Sequence, residues 1–236
     1  MLFYDDLHQY LDDQIAKLQT LKSADMPNEG VILEVLGPAN DQNIESNPGG
    51  HSVTQRVDEL RIDHQGILGD RHRGLTRSSR SREYPLYHRT HSQIVNRRQL
   101  MVVSEDECTA LTDALGVEIT PELLGANLVI RSTGETPFYL SDLPVNSYFV
   151  ISGAGASEPA VPPLATLVHY VQQKGCSLTG RAVAKTHSDP ELVRRFVEVS
   201  ENRRGILCSV EHPVEEAVAL RAGQHVFFRF PMGSCY

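Results

Sequence analysis

The sequence predicts a mainly β protein with some α: a β-barrel or curled sheet with a few peripheral helices. Three observations lead there. Roughly nine short apolar runs are punctuated by Gly, Pro, Asn and Asp. The helical patterns between them are few and short. No internal repeat occurs, so strands in this number are best closed on themselves, which removes free edges. The chain has 236 residues, 40% of them apolar. One domain with extensions is expected, because domains run roughly 100–200 residues.

Leu7, Leu11, Ile15, Leu18 and Leu21 form one stripe of an amphipathic helix over residues 4–22, suited to packing on the body or on a second subunit. Val31 to Leu36 and Glu59 to Ile62 read as strands around a polar loop, Pro38 to His51. Leu100 to Val103 is another strand. Ser104-Glu105-Asp106-Glu107 is a capping box with acidic groups on the positive helix end, and Gly116 closes that helix. Thr120 caps a short turn with Pro121 at its first position. Leu128 to Arg131, Tyr148 to Ser152 and Thr166 to Val171 are strand candidates. Asp189-Pro190-Glu191 starts a helix running to about Val199. Gly205 to Val210 and His225 to Phe230 are the last strands.

The formal charge is −8, which disfavours nucleic acid or an anionic membrane as a whole-surface partner. No run approaches the ~20 apolar residues of a membrane span. Residues 1–6 lack a basic, then apolar, secretory leader, so a cytoplasmic location is expected. The charge is uneven. Arg61 to Arg98 contains nine arginines against Asp63, Asp70 and Glu83, a local +6 that leaves −14 for the remainder. Arginine forks pair two-pronged with carboxylate or phosphate, so an anion site is one reading; a solvated basic loop over Thr76 to Arg89 is the other.

Cys108, Cys176, Cys208 and Cys235 are far apart with no Cys-x-x-Cys pair, which excludes a zinc ribbon and a thioredoxin-type motif. Cys108 lies in the capped helix and Cys208 in a strand, both core positions; Cys235 is in the tail. Cys176 stands apart. Lys174 and Arg181 flank it, and a loop rich in Gly175, Ser177, Thr179 and Gly180 would leave N–H groups to stabilise a thiolate.

Three segments in order carry a family resemblance. They are Gly66-Ile67-Leu68-Gly69-Asp70-Arg71-His72-Arg73-Gly74; then Arg98 to Ser104 with the acidic helix and Leu123-Leu124-Gly125-Ala126-Asn127-Leu128-Val129-Ile130; then Cys176 followed by Arg203-Arg204-Gly205-Ile206. Together, from about Gly30 to Arg229, they resemble the MOSC domain, the module at the C-terminus of molybdenum cofactor sulfurases. Two departures stand out: Gly175 occupies the place before the cysteine where the family usually has proline, and the Arg-rich segment after Gly74 is long.

The resemblance implies a stand-alone MOSC-like β-barrel over residues 30–230, with a helical lead-in at 1–29 and a tail at 231–236. About thirty residues precede Gly30, too few for the extra N-terminal domain of the amidoxime-reducing relatives. It implies that Cys176 carries sulfur as a persulfide or ligates molybdenum beside an anion cleft, as sulfur transferase or molybdenum-cofactor-dependent oxidoreductase. The cofactor would be molybdopterin-type; pyridoxal phosphate is a further family association. A cysteine desulfurase or an acceptor molybdoenzyme would be the protein partner, and the stripe on 7–21 would suit a homodimer. Asp70, Arg71, His72, Arg98, Asn127 and Arg204 are the candidate cofactor-binding residues. All but Arg98 have a plainer reading: an Asp70–Arg71 salt bridge, a loop-packing His72, Asn127 as a turn-former, and helix-dipole compensation for Arg203 and Arg204. The alternative function is a non-enzymatic barrel that binds a phosphorylated small ligand.

Overall fold

Strands whose neighbouring side chains are all apolar must be covered on both faces, and Leu100-Met101-Val102-Val103 is such a run. A computed structural model of the chain describes residues 27–39, 54–79 and 91–231. In it this run is β7 (Leu100–Ser104), every residue of which is buried. Leu100 and Val102 point into a barrel, while Met101 and Val103 point outward under a layer of helices.

The barrel is built from seven strands. In spatial order they are β13 (Gln224–Arg229), β9 (Tyr148–Ala154), β10 (Ala165–Gln172), β11 (Ile206–His212), β7, β8 (Leu128–Ser132) and β1 (Glu29–Pro38). β1 pairs back onto β13 through Glu29↔Phe227 and Gly30↔Val226, which closes the ring. The β7–β8 pairing is parallel, and the other ring pairings are antiparallel. The far half of β1 also carries β2 (Thr54–Val57). Two small sheets lie beside the ring: β3 (Leu60–Asp63) between β4 (Gly66–Ile67) and β12 (Val218–Leu220), and a pair of β5 (Thr76–Ser78) with β6 (Gln93–Val95).

Period-2 alternation sorts the apolar side chains into two cores. Ile32, Val102, Ile130, Phe149, Ile206 and Phe228 fill the barrel. Leu36, Met101, Val129 and Leu207 on the outer face meet α1 (Glu105–Leu115), α2 (Pro121–Leu124), α3 (Ser177–Thr186) and α4 (Leu192–Val199). The caps predicted for α1 and α2 are present, whereas α4 has Glu191 at its N-cap with no side-chain cap hydrogen bond. Ser104 Oγ accepts from Glu107 N, the Glu107 side chain accepts from Ser104 N, and Gly116 is left-handed at φ 70°. Thr120 accepts from Leu123 N ahead of Pro121.

Some expectations change. The Ser177–Gly180 stretch is the start of a helix, not a loop. Its buried Gly180 permits a close crossing with α4: a Cβ there would meet Val193 O at 2.8 Å. Thr76–Ser78 is a strand rather than loop, paired with Gln93–Val95. The amphipathic helix at 4–22, most of the 38–51 loop, residues 80–90 and Cys235 lie outside the described residues. No helix of the described residues is long and apolar enough to cross a membrane.

Candidate functional site

A cleft of about 690 Å³ lies on the outside of the barrel, between the β5–β6 pair and the end of β10. Arg77 and Val95 come from the pair, Arg97 and Arg98 from the link to β7, and Tyr170 to Lys174 from β10 and beyond. Leu207, outward on β11, is part of the floor. Among the described residues, four cations line the cleft and no carboxylate does. The Arg97 guanidinium lies over the Tyr170 ring, 4.1 Å from its centre, which gives a planar cation and an aromatic face side by side.

What aims Arg97 and Arg98 outward is the burial of the polar residues on either side of them. Asn96 and Gln99 are 3% and 4% exposed. Asn96 Nδ2 donates to His72 O at 2.6 Å and Gly74 O at 2.9 Å. Gln99 Nε2 donates to His64 O at 3.1 Å, and its Oε1 accepts from Val210 N at 2.7 Å. The Gly66–Gly74 motif is thereby tied to the cleft wall. Within the motif, Asp70 accepts from His72 N at 2.6 Å and faces His72 Nδ1 at 3.1 Å. Burial works to raise the Asp70 carboxyl. The hydrogen bonds from His72 and the charge of Arg71 outweigh it and hold the carboxyl below its usual range. Arg71 and His72 are exposed on this loop and are not cleft-lining residues.

Asn127 is consumed by the sheet. Its Oδ1 accepts from Met101 N at 2.9 Å and its Nδ2 donates to Leu36 O at 3.3 Å, bridging β7 to β1. Of the predicted cofactor-binding residues, Arg98 alone is in the cleft wall. Arg77, Arg97, Tyr170 and the glutamines were not anticipated. They come from separated segments, and only the arginine density pointed towards them.

Cys176 is half-buried at the N-cap of α3, with extended backbone at φ −139° and ψ 127°. Lys174 of the cleft wall is two residues away, a reach of at most about 7 Å along the backbone. No acidic residue occupies the first turn of α3, so the positive helix end is not neutralised from within that turn. Gly175 fits because a Cβ there would lie 2.5 Å from Val197 O of α4; proline would carry its ring into that carbonyl. Arg204 is 5% exposed and faces inward. It donates to Lys174 O at 3.0 Å, Leu124 O at 3.1 Å and Thr179 Oγ1 at 2.5 Å. Arg203 instead reaches Asp142 at 3.0 Å and stacks on Tyr139.

Of the other described thiols, Cys208 lies in the barrel core and Cys108 is partly buried against the outer core. Burial and, after it, the charge of Glu107 push Cys108 up to about 12, and burial pushes Cys208, inside the barrel, higher still. Among the described residues there is no group of three or more His, Cys, Asp or Glu side chains arranged to hold a metal ion. The donor set therefore fits a group that brings most of its own ligand atoms and an anionic handle. Cys176 would supply one soft donor, and the cleft cations would supply the counter-charge.

Comparison with known proteins gives a consistent picture. The MOSC domain family profile matches residues 88–227. YuaD of Bacillus subtilis (strain 168), provisionally described as a metal-sulfur cluster biosynthesis protein, is 34% identical over 163 residues, 68% of this chain and 77% of YuaD. The crystal structure of YuaD superposes with a TM-score of 0.68 at 28% identity, covering 88% of this chain and 100% of that one.

Proposed function

The chain belongs to the MOSC domain family, and on that premise we propose that it handles sulfur or molybdenum cofactor, with Cys176 as the reacting thiol. The observation that carries the reading is that Lys174, a wall residue of the cationic cleft, precedes Cys176 by two residues at the start of α3, although Cys176 itself is not one of the cleft-lining residues. YuaD's description in metal–sulfur cluster biosynthesis supports the same chemistry.

In the sulfur-transfer version, the Cys176 thiolate attacks the outer sulfur of a donor persulfide. The donor S–S bond breaks, the donor leaves as a thiolate, and Cys176 becomes the persulfide. The N-terminus of α3 favours the attacking thiolate. In the cofactor version, Arg77, Arg97, Arg98 and Lys174 would hold the phosphate, Tyr170 and Gln173 would face the pterin ring, and Cys176 would ligate the metal. The bound cofactor would supply the metal's redox chemistry. The chain supplies charge, orientation and a thiolate.

The test is incubation with a cysteine desulfurase and cysteine, followed by mass spectrometric mapping. Sulfur added at Cys176, and lost in Cys176→Ala, is the expected result. Equal sulfur gain in Cys176→Ala, or none on any cysteine, removes the transfer version. Metal analysis after expression in a cofactor-producing host tests the other: absence of molybdenum in wild type removes it.

The four-cation cleft also favours a second reading, a binding module for a phosphorylated ligand in which Cys176 is incidental. Ligand-induced thermal stabilisation that survives Cys176→Ala but not Arg98→Ala would select it.

A further inference from the structure

The outward face of α3 carries charge that its own helix does not balance. α3 turns Gly180, Ala182, Val183 and Ala184 inward. That leaves Leu178, Arg181 and Lys185 on the other side, at spacings of three and four, as one strip of helix surface. All three are exposed, Leu178 by 43%. Lys174, exposed two residues before the Cys176 cap, joins this strip to the cleft that it lines with Arg97.

The arrangement is unfavourable as it stands. Arg181 and Lys185 are like charges one turn apart, about 6 Å along the axis, a pairing that destabilises a helix. Lys174 lies beside the positive end of the same helix, where a cation is disfavoured. α3 contains no acidic residue to offset either. Elsewhere the protein pairs its cations: Arg56, Arg73, Arg131, Arg194, Arg203 and Arg221 each hold a carboxylate. Among the described residues, no carboxylate pairs with Arg97, Lys174, Arg181 or Lys185. In a chain of net charge −8 that is not for want of carboxylates. Local conflicts of this kind are retained where a surface is used.

We propose that this face of α3 docks the acidic surface of a protein partner, with Leu178 as the apolar contact among the cations. A helix face is convex, so it does not enclose a small ligand. An exposed apolar side chain ringed by charge is the anatomy of a protein interface, and the acidic balance of the whole chain opposes a longer polyanion such as RNA. Complementary charge speeds encounter and fixes orientation, bringing the partner over the N-cap of α3 and Cys176. On the sulfur-transfer reading of Cys176 the partner is the sulfur donor; that role rests on the proposed function, whereas the docking face is read from complex formation alone.

The experiment is biolayer interferometry of the immobilised full chain against a cysteine desulfurase carrying its persulfide, at about 50 and 300 mM salt. The proteins are wild type, the double variant Arg181→Glu with Lys185→Glu, Leu178→Asp, and Cys176→Ala. The double variant should bind about tenfold more weakly or worse, and Leu178→Asp about tenfold more weakly. The higher salt should weaken wild type several-fold and the double variant much less. Cys176→Ala should bind within about twofold of wild type, because the face is intact. Wild-type affinity in the double variant, no binding by wild type, or displacement of the desulfurase by a single-stranded RNA oligonucleotide overturns the proposal. If the double variant does not fold, wild-type affinity in Leu178→Asp overturns it instead. Charge-dependent binding with no sulfur gained at Cys176 would remove the transfer reading and leave the docking face standing. Sulfur reaching Cys176 from the desulfurase equally fast in the double variant and wild type would do the reverse.

Discussion

Gly175→Ala should destabilise the protein by a predictable amount, for a purely steric reason. Gly175 is not in the left-handed region, so alanine can adopt its backbone. The added methyl would lie 2.5 Å from Val197 O and 3.0 Å from Ser200 Oγ. Relief to an ordinary contact requires a movement of about 0.7–0.9 Å, and the obstacle is helix backbone rather than a flexible side-chain tip. α4 is held by Leu192 and Phe196, both fully buried in the outer core, so the Cys176 turn and the helix must separate together. Overpacking of this kind costs about 1–3 kcal/mol. For a chain of this size, 1 kcal/mol corresponds to about 2–4 °C, so thermal unfolding should drop by about 4–8 °C near the middle of that range. The alkylation rate of Cys176 should change with it, because the turn is displaced. Gly175→Pro meets the same carbonyl and should be no better tolerated. A melting temperature for Gly175→Ala within about 1 °C of wild type would refute the contact argument.

Glu107→Ala strips the acceptor from Ser104 N, Ser141 N and the Ser141 hydroxyl inside the fold. A loss of about 3–5 kcal/mol in urea unfolding is expected, and a change under about 1 kcal/mol would contradict it. Burial raises the Glu107 carboxyl, against the hydrogen bonds that lower it, so the folded state holds its proton longer than the unfolded chain. Stability from this group is thus present below the ordinary carboxyl range and declines as pH rises towards the folded value. Glu107→Gln should flatten that decline in a pH series of unfolding free energies, and an unchanged slope would assign it to other groups. Cys108 and Cys208 should resist alkylation in native protein near about pH 8 and react only on unfolding; labelling of either at the rate of Cys176 would show that the cores open. Arg97→Ala should weaken calorimetric binding of a phosphorylated aromatic ligand about tenfold with little change in melting temperature, and unchanged affinity would remove Arg97 and the Tyr170 stack from the binding site.

Helix ends were legible because their signals are local. The capping box at Ser104 and Glu107 and the glycine at 116 act within one turn, whatever surrounds them. β7 and β8 were legible from their apolar runs. α3 was not, because Ser177, Thr179 and Gly180 read as loop residues on propensity alone. Tertiary packing overrides that propensity: Gly180 sits under Val193, Ala182 to Ala184 are buried, and Thr179 is taken by Arg204. Asp70, Arg71 and His72 drew attention as an anion motif, yet the Asp70 carboxylate is engaged by His72 and the loop is tied through Asn96 to the wall carrying Arg97 and Arg98.

The order of residues alone determined the barrel class, the principal caps and the core placement of Cys208, because each depends on periodicity or on neighbours a few positions apart. The tertiary structure decided where the positive charge converges. Arg77, Arg97, Tyr170 and Lys174 become neighbours only when β10 closes beside the β5–β6 pair. Arg204 reaches both flanks of Cys176 only because β11 starts alongside the strand that feeds that turn. Convergence of this kind depends on strand register and chain closure, which no local pattern in the sequence encodes.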